Sequence, residues 1–219
     1  MGCEDLEEKR LNTAAILGVH FHAVTMEQAV DLAMSRLRAR QQGYVGTPNP
    51  EIVDLCRRDS AFMGIVNHAT LVLPDGIGII YAAKILGETL CGKVAGIEFA
   101  ENLAAAMARE GMRLYLLGAK PGVAEQAGAN LCAKYPGLVL AGTHDGYFTD
   151  AQEAVEAINA CGGADVVFVC LGAPKQEKFI ADNMEDIHAT LFCGLGGSLD
   201  VFAGVAKRAP DIFIKLGLE

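Results

Sequence analysis

The chain has 219 residues, 52% of them hydrophobic and 21% charged, which suits one substantial core with at most a smaller lobe and excludes an intrinsically disordered protein. A formal charge of −9, no tryptophan and five tyrosines exclude a nucleic-acid partner, because phosphate binding needs Lys and Arg gathered on one face and strand binding needs aromatic platforms. No run approaches the ~20 apolar residues of a spanning helix.

Met1 to Asn12 is polar, without the apolar stretch of a signal peptide. Residues 1–13 are expected to form a flexible leader. The seven cysteines (Cys3, Cys56, Cys91, Cys132, Cys161, Cys170 and Cys193) are scattered and never at CxxC spacing. They read as reduced core side chains of a cytosolic protein, not as zinc ligands.

Ala14 to Val24 predicts a strand bent at Gly18. Thr25 then serves as N-cap with Gln28 three residues on, a capping box opening a helix over 26–41. His20 and His22 alternate along the strand and could face one side as a metal pair. With no third ligand close by, a polar strand face is the plainer reading. Tyr44 to Gly46 is a short strand running into Thr47-Pro48-Asn49-Pro50-Glu51, where Asn49 is a natural N-cap and Pro50 suits the first helical position. The exposed amides there form either an anion-friendly end or simply a well-capped helix. Thr70 to Leu73 repeats the pattern, stopping at Pro74 and placing Asp75 in a glycine-flanked turn before a helix over 77–86. Asp75 thus stands at a strand terminus, where α/β enzymes draw catalytic groups, although Asp-Gly is also ordinary turn chemistry. Cys91 to Gly96 offers Lys93 beside a turn, and a helix follows over Phe99 to Arg109.

From Met112 the predicted order is β-α-β-α-β-α-β. Strand Met112–Gly118 turns through Gly118 to Gly122 into helix 122–134. Strand Leu138–Ala141 leads to a loop holding Asp145 and Tyr147 and, after a Thr149-Asp150 cap, to helix 151–161. Val166 to Leu171 is apolar at every position, as a strand covered on both faces requires. It breaks at Gly172, and Lys175, Gln176, Glu177 and Lys178 begin an amphipathic helix with polar side chains at the strand's carboxyl end. Strand Thr190–Cys193 ends in Gly194 to Asp200, whose Gly196 and Gly197 amides could cradle phosphate. The predicted fold is α/β, a Rossmann-like parallel sheet flanked by helices, with an N-terminal lobe over 14–110 and a nucleotide-binding lobe over 111–219. The loops at 118–122, 172–177 and 194–200 together outline a nucleotide-sized site. Neither GxGxxG nor GxxxxGK[ST] occurs, which removes the main support for an NAD, FAD or nucleoside-triphosphatase reading. The tail Arg208 to Glu219 carries five large apolar residues in seven positions, which predicts cover by another subunit, a membrane or further chain, and self-association.

The blocks TPNPE (Thr47–Glu51), LPDGIG (Leu73–Gly78), LLGAKPG (Leu116–Gly122), DGYF (Asp145–Phe148), LGAPKQE (Leu171–Glu177), GLGGSLDVFAG (Gly194–Gly204) and RAP (Arg208–Pro210) together resemble the WecG/TagA/CpsF glycosyltransferase family over about Ala15 to Glu219. The resemblance implies an inverting transferase that moves a sugar from a UDP-sugar to a lipid-linked, polyprenyl-diphosphate acceptor at the cytoplasmic face of the membrane. The branch it looks closest to adds N-acetylmannosamine to undecaprenyl-diphosphate-linked N-acetylglucosamine for wall teichoic acid. Other branches transfer N-acetylmannosaminuronic acid or a hexose for common antigen or capsule, and a catalytically silent nucleotide-sugar-binding module would share every glycine loop. The resemblance makes Asp75 the base, with Thr47, Asn49, Lys93 and Gln176 as substrate-binding residues. Gly118, Asp145, Tyr147, Gly172, Lys175, Gly196 and Gly197 would line the nucleotide pocket. Without a DxD-type acidic pair, no metal and no cofactor are expected. Relatives carry arginine where Lys93 stands, and they continue past the equivalent of Glu219 with a basic membrane-docking segment. Its lack here implies an open pocket and weak activity.

Overall fold

The computed structural model describes residues 11–207. Leader residues 1–10, Cys3 and the Arg208–Glu219 tail lie outside the described residues.

The chain opens with β1 (Thr13–Ile16) and β2 (Val19–His22), followed by α1 (Met26–Ala39). Where the sequence predicts one bent strand, β1 and β2 form an antiparallel hairpin with Ile16 opposite Val19. Its two-residue turn puts Leu17 at φ 52° and Gly18 at φ 92°, the positive-φ pair that matches the twist of hairpin strands. The capping box is formed: Thr25 Oγ1 accepts from the Gln28 amide and Gln28 Oε1 from the Thr25 amide.

β3 (Gly43–Gly46) leads into α2 (Pro50–Arg58), α3 (Ser60–Asn67), β4 (Leu71–Val72), α4 (Ile77–Leu86) and α5 (Gly96–Arg109). The sequence reading contains no α3. Asp59 both ends α2 and caps α3, its carboxylate accepting from the Ala61 and Phe62 amides. Then come β5 (Arg113–Gly118), α6 (Val123–Lys134), β6 (Val139–His144), α7 (Ala151–Ala160), β7 (Ala164–Cys170), α8 (Lys175–Asn183), β8 (Ala189–Gly194) and α9 (Ser198–Phe202), in the expected alternation.

The six strands from β3 to β8 make one parallel sheet in the order β4-β3-β8-β7-β5-β6, joining strands from both the 14–110 and the 111–219 stretches. Alternate residues of a central strand enter different cores. Leu114, Leu116, Val166 and Phe168 pack with α1, α5, α6 and α9. Tyr115, Leu117, Val167 and Val169 pack with α2, α3, α4, α7, α8 and the hairpin. Burial on both faces is why these strands read as unbroken apolar runs. The six described cysteines are unpaired. Cys56, Cys170 and Cys193 are buried, whereas Cys91 is exposed and not a core residue.

His22 ties the hairpin to the sheet edge, its Nδ1 accepting the Val72 amide at 2.9 Å. Only the neutral ring can accept, and burial pushes the His22 pKa down from 6.5. The unfolded chain therefore takes up the proton first, so the His22 contribution is full above pH 6.5 and lost as pH falls below it. Melting temperatures across this range are expected to fall less steeply for His22→Gln than for the unaltered protein. Equal slopes would remove His22 from the acid response.

Candidate active site

Strand order creates two crevices. From β5 the chain passes through α6 outward to β6, while β7 lies on the other side of β5. From β3 it passes through α2 and α3 outward to β4, while β8 lies on the other side of β3. Doubly wound sheets bind ligands where such connections diverge, beyond the carboxyl ends of the strands. A cleft opens at each. The first, of about 270 Å³, is lined by Ala119, Lys120, Gly146, Tyr147, Cys170, Leu171 and Asp200. The second, of about 560 Å³, is lined by Asn49, Pro50, Glu51, Asp75, Gly76, Ile77, Gly78, Ala95, Ile97, Leu195, Gly197, Ser198 and Val201. Short α9 serves both, giving Asp200 to the first cleft and Ser198 and Val201 to the second.

The first cleft depends on close approach of β5 and β7. Gly118 sits at φ 134°, and a Cβ there would lie 2.2 Å from the Cys170 carbonyl oxygen. The following Ala119 amide donates to that same oxygen at 3.3 Å, and the Gly146 amide donates to the Ala119 oxygen at 2.9 Å. Two of the expected nucleotide residues shape the Gly146 loop. Asp145 Oδ1 accepts the Tyr147 amide at 2.8 Å, and Lys175 Nζ donates to the Gly146 oxygen at 2.9 Å while lying 4.3 Å from the Phe148 ring centre. Tyr147 is left 67% exposed at the rim. Gly172, at φ 74°, and Gly118 line neither cleft themselves, but their neighbours Leu171 and Ala119 do. Lys120 and Asp200 supply the charge of this cleft, and sequence reasoning did not single them out. The available signal was their place inside the Gly118–Gly122 and Gly194–Asp200 turns.

The second cleft gathers Asn49, Asp75 and Gly197 from three separate loops. Asp75 Oδ2 accepts the Gly96 amide at 3.1 Å, so the amino end of α5 holds the carboxylate, and the Asp75 amide donates to the Pro48 oxygen at 3.4 Å. Lys93 is half-buried and lines neither cleft. Its segment is pinned beside Asp75 by the Val94 amide, which donates to the Pro74 oxygen at 2.9 Å. Asn49 Oδ1 accepts the Ile52 amide as the α2 cap. Thr47 Oγ1 donates to the Gly194 oxygen at 2.9 Å, tying the ends of β3 and β8 together.

Gln176 and Glu177 depart from the expectation of polar side chains offered at the strand end: they are 2% and 3% exposed. Both project beneath the loop because the first turn of α8 packs against the sheet. Gln176 Oε1 accepts the Gly196 amide at 2.9 Å and its Nε2 donates to Glu177 Oε1 at 2.9 Å. Gln176 thereby holds the Gly196–Gly197 turn, and Gly196 does not line either cleft. Burial pushes the Glu177 carboxyl pKa up.

Among the described residues no three His, Cys, Asp or Glu side chains cluster as metal ligands. His20 and His22 form no such site, His22 being occupied by Val72. No helix among them is long and apolar enough to cross a membrane.

A doubly wound parallel sheet with a charged crevice at one switch point and a carboxylate-bearing cleft at the next defines an α/β protein whose candidate site lies beyond the carboxyl ends of its strands. Residues 14–219 match the glycosyl transferase WecG/TagA/CpsF family, and the chain belongs to that family. The N-acetylglucosaminyldiphosphoundecaprenol N-acetyl-beta-D-mannosaminyltransferases of Staphylococcus aureus strains NCTC 8325, COL and MRSA252 are similar to it. Each is 35% identical over 216 residues, covering 97% of this chain and 85% of the relative.

Proposed function

We propose that this glycosyltransferase moves N-acetylmannosamine from its UDP-activated form to N-acetylglucosamine on undecaprenyl diphosphate, a step of wall teichoic acid linkage-unit synthesis, working peripherally at the cytoplasmic membrane face. The names of the similar Staphylococcus aureus enzymes support the substrate pair. The observation that carries the reading is the shared wall: α9 lines the charged crevice through Asp200 and the cleft holding Asp75 through Ser198 and Val201.

In this reading the 111–219 stretch holds UDP. The Tyr147 ring lies on uracil and Asp200 accepts from ribose hydroxyls. Lys120 and the glycine turns at Gly118, Gly172 and Gly196–Gly197 face the diphosphate, with Asp145 and Lys175 keeping the Gly146 loop in place. The sugar enters the second cleft, where Asn49 positions it beside the wall set by Thr47, and Lys93 adds positive charge near the departing diphosphate. Gln176 acts by holding the Gly196–Gly197 turn. The acceptor hydroxyl gives its proton to the Asp75 carboxylate as its oxygen bonds to the anomeric carbon, and the bond from that carbon to the diphosphate oxygen breaks on the opposite face. Configuration inverts, and the electron pair leaves with UDP.

Two measurements test this. With UDP-N-acetylmannosamine and the lipid-linked N-acetylglucosamine acceptor, transfer is expected with inversion; transfer only from another UDP-sugar would reassign the donor. In calorimetry UDP is expected to bind in preference to NAD, and Lys120→Met to weaken UDP by about tenfold or more while leaving uridine unchanged, since only the diphosphate loses a charge-assisted partner. Equal weakening of both ligands would place Lys120 away from the diphosphate.

A further inference from the structure

We infer that one side of α4 carries the polyprenyl chain of the acceptor away from the Asp75 cleft, an inference that rests on the transferase reading above. Eight large apolar side chains are exposed among the described residues, and three of them, Tyr81 at 55%, Ile85 at 85% and Leu86 at 49%, belong to this one helix. Ile77, Tyr81 and Ile85 are spaced i, i+4, i+8 and so form a single stripe. The stripe begins inside the site, because Ile77 lines the same cleft as Asp75, and it runs about 12 Å along the helix to Ile85. Packing of the core does not require it: α4 meets the core through Ile79 and Ala83, both 2% exposed.

Three features favour a lipid tail over other occupants. The stripe is continuous with the cleft in which the lipid-linked sugar is placed, so a chain attached to that sugar leaves along it. The charge on α4 also suits a diphosphate-linked lipid, since Lys84 is its one ionised residue and it carries no Asp or Glu, although the whole chain is at −9. Finally, three side chains on one short helix fall well below the ~800 Å² that each partner of a stable protein complex buries, which disfavours a second copy of this chain.

The test compares binding of N-acetylglucosamine diphosphate lipids with undecaprenyl and geranyl chains, by calorimetry in detergent, for the protein, Ile85→Ser, Tyr81→Ser/Ile85→Ser and Ile85→Leu. Transfer is followed in parallel. The expected result is that the protein binds the undecaprenyl form more tightly, that the serine variants lose about tenfold or more of that affinity, and that Ile85→Leu keeps it. Affinity for the geranyl form should stay within about twofold throughout. The inference is overturned if both chain lengths weaken together, if neither does, or if the protein binds neither lipid. A change of oligomeric state by the serine variants in sedimentation velocity would also overturn it, assigning the stripe to a second copy. Chain-length discrimination that the serine variants abolish, without transfer from any UDP-sugar, would uphold the stripe and reject the transferase reading. Transfer with no dependence on Tyr81 or Ile85 would do the reverse.

Discussion

Asp75→Asn is expected to lower kcat by about 10²–10⁴-fold, the range in which a positioned general base contributes, with UDP affinity changed less than about twofold. On the proposed mechanism the substitution removes the proton acceptor. An asparagine oxygen can still accept the Gly96 amide that holds Asp75 Oδ2 at 3.1 Å, and the Asp75 amide keeps its bond to the Pro48 oxygen. The loop therefore stays beside the cleft while the acceptor hydroxyl loses its base. A loss confined to kcat, with KM for the donor retained, is the signature of a group that acts in the transition state. Turnover near the unaltered rate would move the base elsewhere and leave Asp75 as a tie to the α5 amino end.

Gly118→Ala is expected to cost the largest share of stability. The added methyl would lie 2.2 Å from the Cys170 oxygen and 2.5 Å from its carbon, both backbone atoms of the adjacent strand, at a φ of 134° that L side chains rarely adopt. Backbone strain and overpacking each contribute about 1–3 kcal/mol. At about 2–4 °C per kcal/mol for a chain of this size, a melting-temperature drop of roughly 4–24 °C follows. Gly172→Ala is the control. It also has positive φ, at 74°, but no heavy atom lies within 4 Å of the added carbon, so it should carry the strain without the clash and melt higher than Gly118→Ala. The two variants should differ in UDP binding as well, because forcing β5 and β7 apart opens the first cleft. Equal melting temperatures would show that the β5–β7 contact yields without cost.

The parallel half of the fold was legible because its signals are local. Unbroken apolar runs at 114–117 and 166–171, each followed by a glycine turn, identify strands buried on both faces. Caps at Thr25, Asn49 and Asp150 mark helix starts through side chains that bond two or three residues away. The hairpin was not, because Leu17 gives no warning of a positive φ and Gly18 alone suggests only a bend. α3 was hidden by Asp59, which ends one helix and starts the next without a glycine or proline between them.

Within the candidate site, Asp75 and Asn49 are recognisable by their places after β4 and β3. What sequence order could not convey is that β3 lies against β8, and hence that both residues meet Gly197. Gln176 and Glu177 look solvent-facing in a KQEK run because burial of a polar pair depends on a partner, here the Gly196 amide twenty residues away. Lys120 and Asp200 come together only across the β5–β7 junction and α9, far apart in sequence.

In the proposed complex UDP occupies the crevice between β5 and β7 while the sugar it carries reaches the cleft of Asp75. A crystal structure of Asp75→Asn with UDP-N-acetylmannosamine measures this directly. The predicted complex has the diphosphate at Lys120, the uracil against Tyr147, and the anomeric carbon facing residue 75 with room between them for one acceptor hydroxyl. Density for UDP away from Lys120 and Asp200, or a sugar directed out of the Asn49–Gly197 cleft, would contradict it.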